Sequence, residues 1–306
     1  MPPTHQPLLP PQRPAIGIAL MLGAMASLPF IDVLAKFLGQ QNVPILQVVA
    51  ARLTFGALVT LPFALRLTQG RHPGAATLIP ARKIYHALRA VCLITATYTF
   101  FTALKYLPIA DALAIFFVQP LVVTALSPAA LGEKVGFRRW VAVGVGFVGT
   151  LIIIRPGMVA VNPGSLLALC AGTSLAIYFV MTRKIAGEAP AMLTTFHTNL
   201  LGAALLAPLM PFVWLAPSAG QWAMLAGLGL IATFGHYLIV RAYDHAEASL
   251  LAPLAYTEMI VATAVGWYFF GDLPDGWTLL GVSVLIASAI YIALNSRVGT
   301  TPAPHP

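Results

Sequence analysis

Four residues of this 306-residue chain place charge or strong hydrogen-bonding capacity inside runs that hold almost nothing but apolar side chains: Glu258, Gln119, Arg52 and Asp32. A carboxylate such as Glu258 can hold either an ammonium group or a proton, and an amide such as Gln119 both donates and accepts. Arg52 can receive a carboxylate through two parallel N–H bonds, or it can form a structural ion pair with Asp32, the reading favoured here because a partner is at hand. Asp111 is a second candidate partner for it. Tyr98 and Tyr237 each offer a ring with a polar tip, suited to lining a vestibule, and Tyr178, Tyr256 and Trp267 are further aromatic candidates.

Other groupings carry less chemistry. His236, Asp244 and His245 lie close in sequence, but His236 and Asp244 are two helical turns apart, and no metal site is read from them. His197 with Asn199 suits hydrogen bonding between helices. Gly144, Gly146 and Gly149 spell GVGFVG, the letters of a dinucleotide fingerprint, but they sit inside an apolar run without the preceding strand that motif requires. Cys92 and Cys170 also lie in apolar runs and are read as buried thiols. No cofactor is implied.

The elements that must position these residues follow from composition. The chain is 59% hydrophobic and only 8% charged, against about 25% charged in ordinary soluble domains. That excludes a soluble enzyme, a disordered scaffold and a secreted disulfide-stapled domain. The net charge of +8 reflects loop arginines and lysines, so nucleic acid is not an expected partner. Apolar runs suggest ten membrane-spanning helices near residues 15–38, 44–67, 84–104, 107–131, 137–155, 164–184, 191–214, 220–241, 248–270 and 276–295. Residues 1–14, with six prolines, and 296–306 read as tails.

With ten spans, both termini share one side. Thirteen of the 17 basic residues then fall on that side and three, Lys36, Lys105 and Arg155, on the other. This asymmetry places both termini in the cytoplasm. A shift of 139 residues lays Tyr98 on Tyr237, Ala103 on Ala242, Gln119 on Glu258 and Gly132 on Gly271. The chain therefore reads as two five-helix repeats, 15–155 and 164–295, and an odd number of spans per repeat makes them inverted. Such repeats place a shared site near the bilayer midplane. Glu258 lies about 15 Å into its span and Gln119 about 18 Å from the other face, so the two approach one level.

With Tyr98–Ala112 (YTFFTALKYLPIADA), Gln119-Pro120, Leu131-Gly132-Glu133, the partial echo over Tyr237–Glu258 and Gly271-Asp272, the chain resembles the EamA family of the drug/metabolite transporter superfamily. Among its members it is most similar to the YddG-type exporters of amino acids. That family often has proline after a small polar or acidic residue in the fourth and ninth spans, and Gly-Glu at their ends. Here the ninth span reads Glu258-Met259, without the proline, and ends in Gly271-Asp272.

The resemblance implies export of small metabolites, foremost amino acids, by alternating access through a central cavity in the cytoplasmic membrane. Burial of Glu258 beside substrate would let a proton and an ammonium compete for it, one route to proton coupling. Substrate-binding candidates are Glu258, Gln119, Tyr98, Tyr237 and Arg52. Two other classes remain open: an intramembrane lipid-modifying enzyme, although neither HExxH nor GxSxG occurs, and a membrane assembly protein. The oligomeric state is not fixed by the sequence.

Overall fold

The computed structural model describes residues 13–68, 80, 82–106, 109–154, 163–271 and 276–295. The expected tails lie outside these residues except for Arg13 and Pro14, as do Asp272 and the Asp111 side chain. Every regular element among the described residues is a helix. Lipid offers no partner to backbone N–H and C=O groups, and a helix satisfies them within itself.

The first expected span is two helices, α1 (Pro14–Ser27) and α2 (Pro29–Gln40), divided where Pro29 has no N–H to return to the preceding turn. Next come α3 (Ile45–Thr68) and α4 (Lys83–Ala103). The fourth expected span is also divided, into α5 (Ile109–Phe116) and α6 (Gln119–Leu131), with Pro120 at the second position of α6. Then follow α7 (Phe137–Ile154), α8 (Pro163–Lys184), α9 (Ala191–Leu206), a 3-10 turn (Ala207–Leu209) leading into α10 (Met210–Val213), and α11 (Ala219–His245). The ninth expected span starts as α12 (Ala248–Leu251), passes through a 3-10 turn (Ala252–Tyr256) and continues as α13 (Thr257–Phe270); α14 (Gly276–Asn295) is the last described helix.

Seven of these rods are long and apolar enough to cross a membrane: Pro14–Gln40, Ile45–Thr68, Lys83–Ala103, Pro163–Lys184, Ala191–Val213, Ala219–His245 and Ala248–Phe270. The expectation of ten is therefore met by seven. The fourth span is interrupted, and α7 and α14 are helical but are not among the seven.

The most extensive helix pairs are α4 with α8, α7 with α14, α3 with α9, and α1 with α11. Exchanging the first five expected spans for the second five carries the α4/α8 pair onto the α11/α1 pair and leaves the other two pairs in place. The two halves therefore bury equivalent faces. One further pair of equivalent positions agrees: Gly132 and Gly271 end α6 and α13 in left-handed conformations at φ 71°, which glycine adopts without steric cost.

The helix breaks shape the interior. Pro120 cannot donate to the Phe116 carbonyl, and α8 packs against that oxygen at Gly172, where a Cβ would stand only 2.3 Å from it. In the second half Pro253 lies in the 3-10 turn and produces a break at the corresponding depth. The ninth span is thus interrupted after all, by a proline five residues before Glu258 instead of one directly after it.

Candidate functional site

Three of the breaks converge on one cavity of about 80 Å³ near the middle of the bundle. Asp32 lies in the first turn of α2, Gln119 is the first residue of α6, and Glu258 lies in the first turn of α13. All three side chains line the cavity. An acidic group in the first turn of a helix sits near exposed backbone N–H groups and the positive end of the helix dipole, which offsets part of the cost of charge at this depth. Arg52 from α3, Thr97 from α4 and His236 from α11 complete the polar lining. Phe100, Phe101, Phe116 and Phe179 form an aromatic wall. A buried water needs about 10–15 Å³, so the cavity accommodates several.

The Arg52 guanidinium is held from two sides. Nη1 donates to Thr97 Oγ1 at 2.5 Å, and Nη2 donates to His236 Nε2 at 2.5 Å. Arginine has only donors, so Nε2 of His236 accepts and its proton lies on Nδ1, which donates to Tyr178 Oη at 3.2 Å. Tyr178 Oη also accepts from Arg89 Nη2 at 3.4 Å, and Arg89 Nε donates to Thr182 Oγ1 at 3.0 Å. The Arg89 guanidinium lies 5.1 Å from the Tyr178 ring centre, a cation–π contact. A continuous buried polar line thus runs from the cavity through α11 and α8 to α4.

The expected Asp32/Arg52 ion pair is not formed as a direct contact among the described residues. Both line the cavity, but the Arg52 hydrogen bonds go to Thr97 and His236. The Nε2 amide of Gln119, a residue only 1% exposed, has no hydrogen-bond partner among the described residues and is available to a ligand.

Tyr98 and Tyr237 stand elsewhere. Tyr98 is 41% exposed and does not line the cavity. Tyr237 lines a separate, largely apolar groove of about 650 Å³ bounded by α1, α2, α3, α9 and α11. Successive helical residues point about 100° apart, and it is Thr97 and His236, one position earlier, that face the cavity. Tyr178 joins the polar line, Tyr256 donates to the Val143 carbonyl at 3.4 Å, and Trp267 is exposed. Asn199 donates to Thr233 across α9 and α11 at 3.4 Å, and His197 stacks edge-on against His86. His236 and Asp244 are drawn apart: Asp244 accepts from the Gly187 amide at 3.2 Å.

Sequence reasoning passed over a second cluster, at the end of the bundle where the chain begins. Glu133 follows the Gly132 cap of α6, accepts from the amides of Ala248 and Ser249 at 3.0 and 3.1 Å, and pairs with Arg183 at 3.4 Å. Arg183 also donates to the Tyr243 carbonyl at 2.6 Å, while Arg139 pairs with Glu247 and donates to Ser249 Oγ at 2.5 Å. The cluster ties the ends of α6 and α8 to the α11/α12 junction. Its signal was the Gly-Glu pair at 132–133, legible as a motif but not as a lock.

The EamA-like transporter family model matches residues 15–155 and again 162–294. The chain belongs to the EamA-like transporter family. EamA relatives span most of its length. It is 27% identical over 283 residues to an S-adenosylmethionine uptake transporter of Rickettsia bellii, covering 92% of this chain and 95% of that one. It is 31% identical to a riboflavin transporter of Vibrio cholerae over 68% of this chain and 70% of that one. A pseudopaline exporter of Pseudomonas aeruginosa is 24% identical over 71% of this chain and 74% of its own. A solved structure with the same fold aligns with a TM-score of 0.74 at 19% identity, covering 93% of this chain and 97% of that chain. This EamA protein is accordingly a multi-pass membrane transporter of small molecules and not an enzyme.

Proposed function

We propose that this transporter moves a small metabolite bearing an α-amino-acid group and a further positive charge, of the S-adenosylmethionine type, across the cytoplasmic membrane by alternating access. The observation that carries the reading is the charge content of the cavity: two carboxylates, Asp32 and Glu258, and one guanidinium, Arg52. S-adenosylmethionine presents the complement, an ammonium and a sulfonium beside one carboxylate. Arg52 receives the carboxylate, Asp32 and Glu258 receive the cations, and the Gln119 amide and the phenylalanine wall meet the uncharged part. Riboflavin, uncharged at neutral pH, offers no charge complementary to these groups.

Amino acids as such, the cargo implied by the YddG resemblance, present the same head group and form the wider class. The ionisable groups of the cavity support coupling to protons. Small-molecule sites commonly enclose about 300–1,000 Å³, so a cavity of about 80 Å³ fits a contracted state of the cycle. In this reading the Glu133/Arg183 cluster is the closed cytoplasmic gate, on the side that the excess of basic loop residues marks as the expected cytoplasmic one. Export and uptake are the two directions of one reversible carrier, set by the gradients across it.

The test is counterflow. Proteoliposomes preloaded with unlabelled S-adenosylmethionine should accumulate labelled S-adenosylmethionine transiently, and an excess of external amino acids should compete. Absence of counterflow with both S-adenosylmethionine and an amino-acid panel would overturn the reading. Recovery of chemically altered substrate would point to an enzyme.

A further inference from the structure

We propose that His236 is the proton-coupling residue of the transport cycle, holding on Nε2 either the Arg52 guanidinium or a proton and never both. The inference rests on the transport reading above and adds the group that links substrate to proton.

The exclusivity is geometric. Nε2 of His236 is occupied by the N–H that Arg52 donates at 2.5 Å, and a protonated Nε2 would have no lone pair to accept it and would set two cations in contact. The other ring nitrogen is committed: Nδ1 donates to Tyr178 Oη, which also accepts from Arg89. Only Nε2, on the side of the cavity, can change its protonation. The ionisable groups around it are Arg52 from α3, Arg89 from α4, Tyr178 from α8 and, across the cavity, Asp32 from α2 and Glu258 from α13. While Arg52 donates to Nε2, no proton can occupy that nitrogen.

A substrate carboxylate changes this balance. As it draws the guanidinium towards itself, His236 loses both the donated hydrogen bond and its nearest positive charge. Nε2 then takes a proton from the solution to which the cavity is open, forming an imidazolium whose Nδ1–H remains on Tyr178. When substrate leaves at the opposite face, Arg52 returns to Nε2 and the proton departs to water on that side. A proton therefore travels with each substrate molecule. Histidine is suited to the task because its ordinary titration range spans neutral pH.

The experiment uses the full-length protein in liposomes with a trapped pH-sensitive dye, with S-adenosylmethionine as probe. Wild-type protein should show counterflow, accumulation driven by a pH gradient and proton entry with the probe. His236→Gln keeps an acceptor for Arg52 but cannot be protonated; it should lose gradient-driven accumulation and proton entry, while counterflow persists at a reduced rate. The inference is overturned if His236→Gln accumulates probe as the wild type does, or if Glu258→Gln loses proton entry while His236→Gln keeps it. Wild-type counterflow without proton movement overturns the coupling role alone, whereas absence of wild-type counterflow overturns the transport reading itself. Should His236→Gln fail to fold, wild-type protein in weak buffer near neutral pH decides the matter: uptake of a proton for each probe molecule bound supports the exchange, and none refutes it.

Discussion

Thr97 and His236 are 139 residues apart, equivalent positions of the two halves, and they grip the same guanidinium from opposite sides, each at 2.5 Å from Arg52. The polar side of the cavity is thus built by bringing one position of each repeat upon a single cation of the first. Thr97→Val preserves shape and removes one acceptor. Such hydrogen bonds between membrane helices average about 0.6 kcal/mol, with a maximum near 1.7 kcal/mol, and a loss in this range should appear as lower stability towards denaturant in detergent. Tyr98→Phe, one residue on and outside the cavity, should change neither stability nor counterflow.

That one-residue offset shows what the sequence could and could not convey. The shift of 139 residues set Gln119 against Glu258, and both line the cavity. Tyr98 and Tyr237 stood out because tyrosines matched, yet a match in type carries no information about which way a helix is turned. Rotation is set by packing: at Gly229, where a Cβ would stand 2.6 Å from Phe55 and 3.2 Å from the Arg52 carbonyl, α11 comes tight against α3. His236 is two turns further along the same face. Depth was likewise insufficient for Asp32 and Arg52, which line one cavity without a direct pair among the described residues. Seven spans were legible as long apolar rods; the divided fourth span depends on prolines whose effect is decided by neighbours such as Gly172.

The Glu133 cluster should behave as a lock. Its carboxylate accepts the amides of Ala248 and Ser249 and pairs with Arg183. In Glu133→Gln the charge is lost while the shape is kept, and hydrogen bonds to a charged group contribute about 1.5–3 kcal/mol. Hydrogen exchange at the start of α12 should therefore quicken by roughly 10- to 100-fold, with exchange in α14 unchanged.

Glu188, in the connection between α8 and α9, supplies a pH dependence. Burial raises its carboxyl above the ordinary value of 4.5, and Arg82, paired with it at 3.1 Å, partly opposes this by lowering it. With the folded value above the unfolded one, the folded state binds more protons between the two. Stability should thus be greatest below about pH 4.5 for this group and fall as pH rises through its folded value. Unfolding measured across this window should show that downward slope in the wild type and lack it in Glu188→Gln.

Glycine positions separate close packing from mere sequence pattern. Gly172→Ala would drive a methyl group against the Phe116 carbonyl, and overpacking of this kind costs about 1–3 kcal/mol. Gly144→Ala, within GVGFVG, meets nothing within 4 Å and should leave thermal stability unchanged or raise it slightly, since alanine favours helix over glycine by up to ~1 kcal/mol. Thermal unfolding of both variants in detergent checks the contrast.

The most direct measurement is equilibrium binding of S-adenosylmethionine and its decarboxylated counterpart to wild-type and Arg52→Gln protein. If Arg52 receives the carboxylate, the wild type should bind the decarboxylated compound about 10- to 100-fold more weakly, the equivalent of one charge-assisted contact of about 1.5–3 kcal/mol, and Arg52→Gln should bind the two alike. Equal wild-type affinity for both compounds, or undiminished discrimination in Arg52→Gln, would contradict the account.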